Sequence, residues 1–439
     1  MYKLLTGHHR ISLFAAAYLV RAALVLIVMG SGISILEWNA DSWEFLGMTH
    51  AINQGDWGFY MFGLRTPGYP MLLSAFSQGF DLALPQMTAW IPFQVALTSL
   101  SVVLSADIVA RLTKNRIWAI AAGLLLVFDP LVLSGDVALI SETLFNPALV
   151  GAQWLVLRWL TNRRIRDFFG AALLLQVAVL TRPSAQFFIV IVLAVILLYD
   201  RRLWRWTILL AFLFLLPIAV WTARNIAFND IPSYSTAGIY NLLFYKNVST
   251  DSLVTGRSPD EIVWAYALEV ETLAGDASRL DRRYFPVGNY DYLYVADAAR
   301  YQAMNRLAID KFLEFHVWHV VKMPYHLLQL FSESRTMSLF IPLTVQRGIA
   351  VVMLTLFTIG GLQWLTTRRP AWQKWLVIGV PFYFIATSLV LLALPEMRYM
   401  SQFGTYWALL VVGGAGWLIQ RLRKMRAAPY RRVARVDAA

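Results

Sequence analysis

Long apolar runs separated by short basic clusters constrain this chain's fold more than any single motif does. A helix needs about 20 apolar residues to cross a hydrocarbon core. Runs of that order recur at 11–33, 86–110, 117–134, 142–160, 168–181, 184–199, 206–226, 337–365, 375–394 and 402–420. The spacing predicts about ten transmembrane helices in an all-α polytopic membrane protein. Composition agrees, since 58% of the 439 residues are apolar and only 15% charged, far from soluble averages. Cysteine is absent, which excludes disulfides, a thiolate nucleophile and cysteine metal sites.

The net charge of +12 is distributed in a way that argues against a nucleic-acid partner. Basic residues gather at Lys3/Arg10, Arg111/Lys114/Arg116, Arg158/Arg163/Arg164/Arg166, Arg201/Arg202/Arg205, Arg368/Arg369/Lys374 and Arg421/Arg423/Lys424/Arg426. One such cluster follows every second run, the pattern that orients membrane helices and places both termini in the cytoplasm. The same parity reads the 14-residue run Pro67–Phe80 as a helix on the outer face, because a further crossing would put the Arg111 cluster outside. Arg21, within the first run, is expected to snorkel toward the cytoplasmic face. Thr181-Arg182-Pro183-Ser184 separates two short runs, which are either two spans or a broken pair of half-helices, since a residue before proline resists helical geometry.

This topology gives an N-terminal transmembrane module (1–226) with its first outer loop at 34–85. An extracytoplasmic segment (227–336), C-terminal transmembrane helices (337–420) and a basic cytoplasmic tail (421–439) follow. The 227–336 segment holds 13 of the chain's 26 acidic residues and is the one region of soluble-domain composition. Residues 230–247 read as an irregular lid. From Pro259 an amphipathic helix is expected, opened by Ser258 or Pro259 with Asp260 and Glu261 in its first turn. A second helical pattern runs from Asn289 to His326, and together these helices form a small helical cap over the membrane domain.

Chemistry is concentrated on the outer side. In the first loop, Asp41 and Glu44 sit three residues apart in a short helical pattern, where a carboxylate can take a proton from an attacking hydroxyl; the alternative for Asp41 is a helix N-cap. Glu142 opens the fourth run with Asp136 and Asp129 nearby. Convergence of Asp41, Glu142 and Asp136 would suit a divalent cation, Mg²⁺ or Mn²⁺, on oxygen ligands; the alternative for Glu142 is an ordinary acid at a helix start. Arg65, Arg182, Arg224 and Arg398 lie at the outer interface against the charge trend. Guanidinium forks match phosphate oxygens, with salt bridges to loop acids as the alternative. His316 and His319 form a close pair, more readily explained by packing than by a metal. No phosphate-cradling glycine motif or serine-nucleophile elbow is present.

These pieces, in order, are NADSWEFLGMTHAINQGDW, RTPGYPMLLSAF, SETLF, LTRPSA, AVWTARNIAFNDIPSYSTAGIYNLLF and PEMRYM. They resemble the GT-C superfamily of integral-membrane glycosyltransferases. The branch they resemble contains the dolichyl-phosphate-mannose protein mannosyltransferases and the lipid A aminoarabinose transferase. The resemblance implies a GT-C-like fold and a polyprenyl-phosphate-linked sugar donor. It also implies inverting transfer of a hexosyl or pentosyl group to a lipid, glycan or protein acceptor on the extracytoplasmic face of a bacterial inner membrane. Carried over by position, Asp41 corresponds to the first-loop aspartate that serves as general base or positions the acceptor and Glu142 to the second-loop acid, while Arg65, Arg182, Arg224 and Arg398 with Tyr399 frame the donor phosphate. The chain departs from larger members in having no sizeable soluble domain after the last span. The rival expectation is a transporter or flippase of a lipid-linked sugar, for which broken helices also serve.

Overall fold

A computed structural model describes residues 5–31, 41–59, 61–80, 84–129, 133, 138–275, 297–332, 342–391 and 402–436. Every regular element among them is helical. In the first half these are α1 (Gly7–Gly30), α2 (Asp41–Gln54), α3 (Met61–Leu64), α4 (Gly68–Gly79), α5 (Ile91–Thr113), α6 (Arg116–Phe128), α7 (Glu142–Asn162), α8 (Ile165–Thr181), α9 (Phe188–Tyr199) and α10 (Trp204–Asn229). The second half comprises α11 (Ala237–Tyr240), a π-helical turn (Asn241–Asn247), α12 (Val248–Thr255), α13 (Pro259–Leu273), α14 (Ala298–Glu314), α15 (His316–Ser332), α16 (Leu343–Thr366), α17 (Ala371–Leu391) and α18 (Gly404–Val436). Each of the ten expected runs coincides with one of these helices.

By length and composition, four stretches of the described chain suffice to cross a membrane: Gly7–Gly30, Gln86–Thr113, Arg201–Asn229 and Leu343–Thr366. Arg116–Phe128 and Pro183–Tyr199 are shorter apolar helices. Helix α7 carries polar groups inward, with Glu142, Thr143, Asn146 and Gln153 buried, so packing against neighbours replaces part of the lipid contact. The 117–134 run ends as a helix at Phe128, with Asp129 extended (ψ 113°) because Pro130 follows it.

Ion pairs gather the basic clusters at one end of the bundle. Arg10 grips Asp107 (2.8 and 3.0 Å), which also accepts from Trp154 Nε1 at 3.1 Å. Arg163, which closes α7, reaches Asp200 at 3.1 Å, so the α7–α8 turn and the end of α9 are neighbours. Arg369 donates to the Leu112 carbonyl at 3.2 Å. Lys114 and Arg163 close α5 and α7 in left-handed geometry (φ 55° and 56°), cations at the helix ends where the dipole favours them.

Arg21 does not snorkel. It is wholly buried and donates from Nη1 to Ala17 O (3.2 Å) and from Nη2 to Leu126 O (3.4 Å). Leu126 lies in the last turn of α6, whose carbonyls have no partner within the helix, so the guanidinium is held inside rather than drawn to an interface.

Helices α16 and α18 cross at glycines. A Cβ on Gly360 would fall 2.0 Å from Leu410 O, and one on Gly414 2.0 Å from Leu356 O, so the backbones touch as small residues allow in membrane bundles. The cap helices form as read: Ser258 and Glu261 make a reciprocal capping box at α13. The second pattern is split at Phe315 into α14, capped by Asp297, and α15. The expected irregular lid is irregular only over 230–236; beyond it lie α11 and the π-helical turn.

Candidate active site

The site is assembled by close backbone packing between the first outer loop and the break after α8. Pro67 precedes α4, and Gly68 approaches α8 so tightly that a Cβ would lie 2.7 Å from the Leu180 carbonyl carbon. The segment after α10 adds a clamp. Thr236 N donates to Gly63 O (2.9 Å), Ser235 Oγ to Leu64 O, and Tyr234 Oη to Val179 O (2.5 Å). Asn225 holds that segment from α10, donating to Ser233 O at 2.8 Å. Arg65, one residue past α3, is thereby fixed beside the Arg182 turn.

Asp41 and Glu44 open α2 one turn apart, and Arg65 lies across both. Its Nη2 is 3.0 Å from Asp41 Oδ1 and 2.6 Å from Glu44 Oε2, while its Nε donates to Glu44 Oε2 at 2.7 Å. Arg182 is extended (φ −144°, ψ 129°), as a residue before proline must be, and so projects away from the helix. Its Nη1 meets Glu142 Oε1 at 2.5 Å and Ser141 Oγ at 3.2 Å. Glu142 is buried (3% exposed). Arg65 and Arg182 are therefore each fixed by an acid from another element.

Both guanidinium groups line one cavity of about 260 Å³. Arg65 and Arg182 supply its charge; the rest of the wall is neutral, with apolar surface from Phe45, Leu64, Pro183 and Ala237 beside the hydroxyl and amide groups of Thr66, Ser141, Ser184, Asn241, Tyr383, Thr387, Ser388 and Gln402. Tyr383 Oη donates to Ser184 O at 2.6 Å and accepts from Phe187 N at 3.3 Å, tying α17 to the break. Asp41, Glu44 and Glu142 stand one side chain behind this surface. They hold the arginines that face it.

Other expected residues lie elsewhere. Arg224 is outside the cavity wall, boxed by Phe62, Trp221 and Phe228 at 5.0–5.3 Å. It donates to Asn225 Oδ1, Asn229 Oδ1 (2.8 Å each) and the Trp57 carbonyl, so it anchors the first loop to α10. Asp136, Arg398 and Tyr399 fall outside the described residues. Among the described residues no group of three or more His, Asp or Glu is placed to hold a metal, and Asp41 and Glu142 each already face a guanidinium. His316 is exposed with its Nδ1 on Leu313 O, whereas His319 is buried and stacked on Phe312; the two do not make a pair. The sequence reading did not single out Tyr383, Thr387, Ser388, Asn241 or Gln402. Polar residues on apolar helices were the signal available for them.

Residues 66–251 match the model of the dolichyl-phosphate-mannose-protein mannosyltransferase family. No curated protein matches the chain. The matched segment contains Glu142, Arg182 and Arg224, and begins one residue after Arg65. The match covers 186 of the 439 residues, and every regular element described within it is helical, so over that segment the chain is similar to this family of glycosyltransferases.

Proposed function

We propose that this protein transfers a sugar from a polyprenyl-phosphate donor to an acceptor hydroxyl on the extracytoplasmic face of a bacterial inner membrane, inverting the anomeric carbon. The observation that carries the reading is the shared cavity: Arg65 and Arg182, from separate turns, line one otherwise neutral space in which hydroxyl and amide groups stand among apolar surface. Guanidinium forks suit the donor phosphate, and hydroxyls and amides suit a sugar.

In this scheme the phosphate draws Arg65 off Asp41 and shares it with Arg182. Asp41 then accepts the acceptor's proton as that oxygen bonds to the anomeric carbon. The bond to the phosphate oxygen breaks, and the polyprenyl phosphate leaves with the electron pair, its charge stabilised by the arginines. The acceptor enters under the α13–α14 cap.

The test is Asp41→Asn in purified protein with a labelled polyprenyl-phosphate sugar. Donor binding is expected to persist while transfer falls by roughly 10²–10⁴, the range for a general base. Wild-type turnover in the variant would remove Asp41 from that role. Movement of labelled lipid between leaflets with no new glycosidic bond would replace the enzyme reading with a transporter.

A further inference from the structure

A second cationic cluster lies outside the arginine cavity, between the π-helical turn and α15. Lys246 is 1% exposed, and its ammonium is 3.0 Å from His326 Nδ1 and 2.8 Å from Leu389 O at the end of α17. Lys322, one turn before His326, donates to Ser249 O and Oγ at 2.8 and 2.9 Å. His319 is 3% exposed. Its Nδ1 lies 3.2 Å from Thr250 Oγ1, whose proton is directed to Lys246 O at 3.0 Å, and its Nε2 is buried with no hydrogen-bond partner. Neither ammonium has a carboxylate within ion-pair distance among the described residues.

Burying ammonium groups without an opposite charge is costly, and a fold keeps such a cluster only if something offsets that cost. A π-helical turn at the same place fits a functional origin, since these turns are concentrated at sites. The outward face of α15 says where a partner would arrive. Val317, Val320 and Val321 are more than half exposed, while Lys322, His319 and His326 face inward on the same helix. At its end Phe331 packs on Phe357 and Trp407 (6.2 and 5.0 Å), well along the membrane helix α16. The helix therefore presents apolar side chains outward and Lys322, His319 and His326 to the interior. Pro324, between Lys322 and His326, removes one backbone hydrogen bond and marks the point where α15 can bend.

We propose that Lys246 and Lys322 bind the phosphate of a lipid headgroup that enters sideways past α15. The ammonium groups supply charge, and the exposed valines a surface for the lipid chain. Neither lysine lines the arginine cavity, although Ser388, next to Leu389, does.

Native mass spectrometry of the full chain in detergent tests this, with a polyprenyl phosphate, phosphatidylglycerol, inorganic phosphate and diacylglycerol as probes. Arg65→Gln is used throughout, so that loss of binding in the cavity is not counted. At least one phosphate-bearing lipid is expected to bind and diacylglycerol not to. Lys246→Gln and Lys322→Gln should each weaken that binding about tenfold, the loss of one charged hydrogen bond. Lys322 is half-exposed, so its variant decides the matter if Lys246→Gln fails to fold. Unchanged lipid binding in a folded lysine variant, or binding of inorganic phosphate only, would overturn the proposal.

Discussion

Gly68 lies against the backbone of Leu180, with 2.7 Å left for any Cβ before it meets the carbonyl carbon. The neighbouring atoms are main chain and cannot rotate away, so the distance between the Arg65 and Arg182 turns is set by a residue with no side chain. Gly68→Ala is expected to separate them. Overpacking costs about 1–3 kcal/mol, so the thermal midpoint should fall modestly. Transfer should fall further than stability does, because the two guanidinium groups no longer face one cavity. Parallel melting and transfer assays check this, and unchanged transfer would show that the contact does not set the site.

The Glu142–Arg182 pair gives a second prediction through its asymmetry. Glu142 is almost wholly buried and Arg182 is 16% exposed at its side chain. Removing one partner leaves the other charge uncompensated, so Glu142→Gln should cost about 3 kcal/mol, the lower end for a broken buried pair. Glu142→Met combined with Arg182→Met removes both charges and should recover most of that stability. It should not recover transfer if Arg182 holds the donor phosphate. Chemical or thermal unfolding of the two variants, with transfer measured alongside, separates the structural part of the pair from the functional part.

The helices were legible because apolar runs and basic clusters report directly on membrane geometry, and the outer acids and arginines stood out against that background. Arg65, Arg182, Asp41 and Glu142 could be named because charge is rare there. Which acid meets which arginine could not, since the pairing depends on the Gly68–Leu180 approach between segments more than a hundred residues apart. Arg224 carried the same signal as Arg65 but is held in an aromatic box made by the first loop and α10. Lys246 was hidden for the opposite reason: it lies in an aromatic, loop-like stretch whose π-helical turn no hydrophobic period announces.

Lys246 also gives a pH prediction. Burial, with the Lys322 charge beside it, lowers its ammonium from 10.5 to about 8. Between those values the unfolded chain holds a proton that the folded chain has released, so stability rises with pH across that interval. Below about 8 the full penalty of the buried charge is present. Thermal unfolding without added lipid phosphate should therefore show a midpoint that climbs from pH 8 to pH 10, and Lys246→Met should flatten the climb. An equal slope in that variant would assign the pH response to another group.

The α16–α18 crossing supports the last prediction, because it tests the bundle away from the site. Gly360 meets Leu410 O and Gly414 meets Leu356 O with room for a Cβ in neither place. The contacted atoms are helix carbonyls already engaged in their own ladders, so relief requires the helices to move apart. Gly360→Leu should separate them and expose Trp364 and Trp407, which are buried at present. A shift of tryptophan emission and a loss of several degrees in the thermal midpoint are expected. Gly361→Ala is the control: its neighbour Ile378 lies at 3.9 Å, an ordinary contact, and an added methyl there should leave the midpoint where it was. If both variants melt like the parent, the close glycine contact is not what holds α18 to the bundle.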